Sequence, residues 1–118
     1  MSEIQLQTSC FTWLWNYYPQ TRRLFFHVPN GGNRNAIEGM QLKASGVVAG
    51  IPDCILVHQG RCYGFEFKTA NGKVSPVQDQ VHKVWQEDGT PVYIIRTIEE
   101  FKLNIYSIIG TVQERKVA

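Results

Sequence analysis

The segment that most constrains the fold is GIPDCILVHQGRCYGFEFK, Gly50 to Lys68. It reads as two apolar strands joined by a two-residue turn at Gln59-Gly60. That turn pairs Val57 with Cys62, Ile55 with Gly64 and Asp53 with Glu66. The two carboxylates then stand directly opposite, with Cβ atoms roughly 4.5–5.5 Å apart. Side chains alternate across a strand, so Lys68 shares the face of Glu66. Ile55, Val57, Cys62 and Gly64 complete that face. Cys54, Leu56, Tyr63, Phe65 and Phe67 form the other, and both are expected to be largely buried.

Opposed carboxylates repel and weaken a sheet. A divalent cation between them relieves the repulsion, and hard oxygen ligands suit Mg²⁺ or Mn²⁺. The backbone carbonyl of Phe67 could add a ligand. Lys68 would stand beside the cation, where an ammonium can hold an attacking water and offset negative charge. The plainer alternative is a cross-strand salt bridge in which Lys68 neutralises one acid.

The flanking sequence supplies helices and strands around this hairpin. Ser2 with Gln5 forms a capping box for a first helix. Ile4, Phe11, Leu14, Trp15 and Tyr18 recur on it at helical spacing, and Pro19 stops it. Leu24 to Val28 reads as a short strand. Asn30 to Asn33 is a glycine-containing loop, and Arg34 to Ser45 a helix ended by Gly46. After the hairpin, Ser75, Pro76 and Gln78 open a third helix with an expected buried stripe of Val77, Val81, Val84 and Trp85. Val92 to Arg96 reads as a strand. Thr97 with Glu100 caps a last helix whose Ile98, Phe101, Ile105 and Ile108 face inward, and the residues after Gly110 are expected to fray. The order is α-β-α-β-β-α-β-α, one α/β domain over residues 1–118 with a mixed sheet covered by helices.

Composition narrows the class. The chain has 118 residues, of which 43% are hydrophobic, enough to fill one core. It shows no apolar run of the ~18–20 residues a membrane span requires, and no signal-peptide pattern. The expectation is a soluble, cytoplasmic protein (host-cell cytoplasm if viral), with no membrane partner and no organic cofactor. Cys10, Cys54 and Cys62 have neither the number nor the spacing of a disulfide framework or a zinc site. A net charge of +2 permits nucleic-acid binding without requiring it.

Pro52-Asp53 followed by Glu66-Phe67-Lys68 resembles the PD-(D/E)xK nuclease superfamily, which implies a restriction-endonuclease-like core. The further stretches His27 to Arg34, Gly46 to Asp53, Phe65 to Lys68, and SPVQ followed by Trp85 resemble the VRR-NUC family, the virus-type replication-repair nucleases. The resemblance implies metal-dependent hydrolysis of DNA. Asp53 and Glu66 would bind the metal and Lys68 would orient the water. Gln78 matches the family's glutamine on the helix after ExK, although the capping box with Ser75 explains it equally well. Glu3 looks like the acid that members carry near the metal, although an acid in a first helical turn also suits the helix dipole. Small members are associated with homodimers that cut four-way DNA junctions, and larger ones with flaps.

Bare backbone N–H groups at Gly31 and Gly32 could meet a phosphate. Asn30 and His27 could touch DNA or a metal-bound water, although a lone strand histidine such as His27 is more often structural. Arg34 and Lys73 are the strongest candidates for phosphate contacts, ahead of Arg22, Arg23, Lys43 and Lys83. The aromatic first helix, with Phe11, Trp13, Trp15, Tyr17 and Tyr18, suggests either a wide core face or a subunit interface. The alternative to an enzyme is a catalytically silent nucleic-acid-binding module on the same fold.

Overall fold

The computed structural model describes residues 1–29 and 35–114. Its elements follow in the expected order: α1 (Glu3–Tyr17), a 3-10 turn at Pro19–Thr21, β1 (Phe25–His27), α2 (Ala36–Ala44), β2 (Cys54–His58), β3 (Arg61–Phe67), α3 (Pro76–Glu87), β4 (Val92–Ile95) and α4 (Ile98–Ile108). Local chemistry sets the helix starts. Capping boxes are made by Ser2 with Gln5 and by Ser75 with Gln78. Asn35 and Thr97 accept the Glu38 and Glu100 N–H groups. Glu100 departs from the reciprocal pattern, since its carboxylate accepts the Arg96 N–H instead.

The four strands form one sheet in sequence order. The β2–β3 hairpin has the expected register, with Val57 opposite Cys62 and Ile55 opposite Gly64. Gln59 and Gly60 both take positive φ, 50° and 77°, the turn that matches strand twist. β1 pairs antiparallel with β2, whereas β4 pairs parallel with β3 after the crossover through α3. The sheet is therefore mixed.

α1 and α4 cover one face of the sheet. There Phe101 is the aromatic hub, with ring centroids 5.3 Å from Phe65, 5.8 Å from Phe25, 6.0 Å from Trp13 and 6.1 Å from Phe67. Cys54, Leu56, Phe65, Phe67 and Ile105 are buried with it. α3 lies on the opposite face, and two glycines set its approach. A Cβ on Gly64 would lie 2.8 Å from Pro52 Cγ and 3.3 Å from Trp85 Cζ3. A Cβ on Gly50 would lie 2.9 Å from both the Val77 carbonyl oxygen and Val81 Cγ2.

Several packing expectations are corrected. On α1 the buried residues are Leu6, Cys10, Trp13 and Leu14, while Ile4, Phe11 and Trp15 are exposed. The helix is apolar around much of its circumference, so periodicity alone does not select the packed stripe. On α3 the expected stripe fails more sharply: Val77 and Val84 are 49% and 63% exposed, and the buried residue is His82. The hairpin face beneath α3 is only partly covered, with Cys62 exposed. None of the residues of α2 is buried. The segment after Gly110 is held at least to Glu114. That carboxylate accepts the Trp13 indole N–H at 2.8 Å and pairs with Lys102 at 2.9 Å. No helix among the described residues is long and apolar enough to cross a membrane.

Candidate active site

The three charges of the hairpin converge where β2 begins and β3 ends. Continuing the β2–β3 register one step past Cys54 and Phe65 places Asp53 opposite Glu66. Regular pairing stops there, and the Asp53 side chain takes over: its Oδ2 accepts the Phe67 N–H at 2.8 Å. The Asp53 backbone is held from the other side, because its carbonyl accepts the Val28 N–H at 2.8 Å. His27 Nδ1 lies 2.7 Å from the same carbonyl. A carbonyl only accepts, so this contact is a hydrogen bond in the tautomer that carries its proton on Nδ1. In the other tautomer the same nitrogen accepts from the Gln7 amide, 3.0 Å away.

Glu66 and Lys68 are buried charges, 1% and 8% exposed. Such groups are rarely placed inside without a partner. Burial, a side-chain hydrogen bond with Asp53 and the negative charge of Asp53 push Glu66 up to about 9, against the opposing pull of Lys68. Burial and the neighbouring acid thus both favour the protonated form of Glu66. Lys68 is held at its backbone, whose N–H donates to the Ile95 carbonyl at 3.0 Å. Its Nζ lies 4.0 Å from Glu3 Oε1, at the outer limit of an ion pair.

The donor set fits a hard divalent cation, because the Asp53 and Glu66 carboxyl groups stand opposite each other where the hairpin register ends and both offer oxygen. Among the described residues no group of three or more His, Cys, Asp or Glu side chains is gathered to hold an ion unaided. Backbone oxygen, water or phosphate would complete the coordination. Glu3 reaches the site's edge through Lys68, and its charge adds to the upward push on Glu66.

Gln78 is occupied in its capping box. Its side-chain oxygen accepts the Ser75 N–H at 2.9 Å, and its own N–H donates to Ser75 Oγ at 3.2 Å. Lys73 is exposed after the turn that follows Lys68. Arg96 clamps that turn, its Nη1 donating to the carbonyls of Thr69 and Gly72, each at 2.7 Å. Asn30, Gly31, Gly32 and Arg34 lie outside the described residues.

One site residue was not read from the sequence. His82 is 5% exposed, and its Nε2 lies 3.2 Å from Glu66 Oε1. Burial lowers its pKa below the ordinary value; Lys68 acts in the same direction, while Asp79 and Asp53 oppose it. The two groups are within hydrogen-bond distance, and the ring's tautomer sets which of them donates. The available signal was spacing, since His82 follows Gln78 by one helical turn and shares its face.

This constellation on a mixed sheet can be set beside known proteins. No protein-family model and no curated protein sequence matches the chain. A solved structure described as "VRR_NUC domain protein" superposes with a TM-score of 0.71 at 21% identity, covering 97% of this chain and 98% of that one. The chain has the fold of a VRR_NUC domain protein. The VRR_NUC fold bears out the restriction-endonuclease-like architecture expected from PD…ExK, and its near-complete coverage includes the hairpin, α3 and both outer helices.

Proposed function

We propose that the protein is a divalent-metal-dependent nuclease that hydrolyses phosphodiester bonds in DNA at Asp53, Glu66 and Lys68. The observation that carries this reading is the meeting of two opposed carboxylates and a buried lysine where β2 begins and β3 ends. A purely binding surface gives no reason to set two carboxyl groups opposite each other at a sheet end, whereas an ion site does. The VRR_NUC fold supports the same reading.

Asp53 and Glu66 would hold Mg²⁺ or Mn²⁺, with the Phe67 backbone carbonyl as a further oxygen ligand. The ion would polarise the phosphate and lower the pKa of a bound water. Lys68, on the same strand face, orients the attacking water and offsets the charge that accumulates at phosphorus. Glu3, 4.0 Å from the Lys68 ammonium, would add its charge to the ion's outer surroundings from α1. Gln78 anchors α3 through its cap, one helical turn before His82, and would assist the site from there. Asn30, Gly31, Gly32, Arg34 and Lys73 bracket the site in sequence and would contact the DNA backbone.

The substrate class we favour is branched DNA, cut by a homodimer. The exposed apolar residues Ile4, Phe11 and Trp15 on α1 and Ile37 and Met40 on α2 support a second copy as partner. Two-fold symmetry would present two sites to a four-way junction. The test is a cleavage panel of end-labelled duplex, flap and four-way-junction DNA with Mg²⁺ and Mn²⁺, run beside light scattering. Junction cutting by a dimer is expected. Preferential cutting of flaps by a monomer would redirect the substrate assignment, and absence of any cutting would reject the enzyme.

A further inference from the structure

We infer that His82 is a positioning residue, which orients Glu66 for the cation by donating its Nε2–H to Oε1; this rests on the metal-dependent site proposed above. The ring enters a buried position on a helix whose valines largely face outward. A histidine displaces valine from such a place only where it meets a polar partner, and Glu66 Oε1 is that partner at 3.2 Å.

The backbone is arranged to make this contact. α3 comes close to the hairpin because Gly50 and Gly64 leave no Cβ in its way. The capping box at Ser75 fixes where the helix begins, and His82 follows two turns later on the face that meets β3.

A carboxylate that binds an ion from one oxygen is free to rotate unless the other oxygen is tied. His82 ties Oε1, so that the remaining oxygen is the one Glu66 would offer to the cation. Groups that act on a ligand in this way commonly change metal affinity by about 10- to 100-fold when removed. The competing role is a ring that merely fills space under α3. That role predicts that an apolar side chain of similar size serves as well.

The experiment uses the full chain as wild type, His82→Leu and His82→Gln. Glutamine places an amide N–H where the histidine Nε2–H stands. Mn²⁺ is titrated into each by calorimetry, and thermal unfolding without cation verifies the fold. His82→Leu is expected to bind Mn²⁺ about 10- to 100-fold more weakly, with His82→Gln recovering most of the loss. A folded His82→Leu with wild-type affinity, or a folded His82→Gln as weak as the leucine variant, would overturn the inference.

Should the leucine variant not fold, ¹⁵N spectra of the wild-type ring in the absence of metal decide. A neutral ring protonated at Nε2 supports the role, and the Nδ1–H tautomer or an imidazolium contradicts it. A wild type that binds no Mn²⁺ but shows the Nε2–H bond would reject the metal site while leaving the contact to Glu66 intact.

Discussion

Asp53 Oδ2 accepts the backbone N–H of Phe67 at 2.8 Å, so the first acid is tied to the peptide unit that joins Glu66 to Phe67. This contact replaces a ladder hydrogen bond where β2 has not yet begun. It makes the distance between the two carboxylates a property of the sheet rather than of flexible side chains. Asp53→Ala is therefore expected to do two things: weaken Mn²⁺ binding and leave a buried N–H unsatisfied, at a cost of about 1–3 kcal/mol. Asp53→Asn keeps an acceptor oxygen and should retain most of the stability while losing the metal. Calorimetry and urea unfolding on the two variants separate these effects.

Glu66 gives the protein a pH dependence of definite sign. Its pKa is about 9 in the folded chain, against 4.5 ordinarily. Above the lower value the unfolded chain releases this proton while the folded chain keeps it. Stability without cation therefore falls as pH rises from about 4.5 towards 9. Glu66→Gln cannot ionise, so the stability of wild type minus that of Glu66→Gln should decline across this window in EDTA. Saturating Mn²⁺ should flatten the decline for wild type. A difference that is level with pH, read from urea unfolding at intervals from pH 5 to 9, would count against a protonated Glu66 beside Asp53.

Gly64 allows α3 and Pro52 to close over the site. Gly64→Ala would bring a Cβ within 2.8 Å of Pro52 Cγ and 3.3 Å of Trp85 Cζ3. Overpacking of this kind costs about 1–3 kcal/mol, and the displacement falls on the proline next to Asp53. Both a lower urea midpoint and weaker Mn²⁺ binding are expected. Phe101→Ala, on the other side of the sheet, removes the centre of the aromatic cluster. It should cost about 3–5 kcal/mol with metal affinity unchanged wherever the chain remains folded.

Arg96 holds the turn after Lys68 by donating to the Thr69 and Gly72 carbonyls. Arg96→Met should lower stability by about 2 kcal/mol, within the range for hydrogen bonds to charged groups. It should also increase hydrogen exchange across residues 69–74. Exchange as slow as in wild type would show that the turn is held by other contacts.

Much of this was legible because it is local or because its period is unambiguous. The caps at Ser2, Ser75 and Thr97 need only neighbours three residues away. The hairpin register follows from a two-residue turn and a period of two, and it alone aligns Asp53, Glu66 and Lys68. The inward face of α4 was equally plain, since Phe101 and Ile105 lie on one clean stripe. α1 and α3 were harder for opposite reasons. α1 offers apolar residues on several sides, so the choice of Trp13 over Trp15 depends on where α4 lies. α3 offers valines, but its closest approach is to Gly50, Gly64 and a carboxyl group, an environment that selects a histidine. No helical period announces a buried residue whose partner is a distant acid. The arginine clamp on residues 69–72 depends likewise on the parallel pairing of β4, which brings Arg96 beside the end of β3.

The most direct test of the central claim is single-turnover cleavage of a labelled four-way junction in Mn²⁺ by wild type and Lys68→Ala, with Mn²⁺ affinity and unfolding measured on the same preparations. The arrangement of Asp53, Glu66 and Lys68 predicts a folded, metal-binding variant whose cleavage rate falls by at least about 10²–10³-fold, the scale for loss of one group that stabilises transition-state charge. Cleavage by Lys68→Ala at the wild-type rate would contradict it.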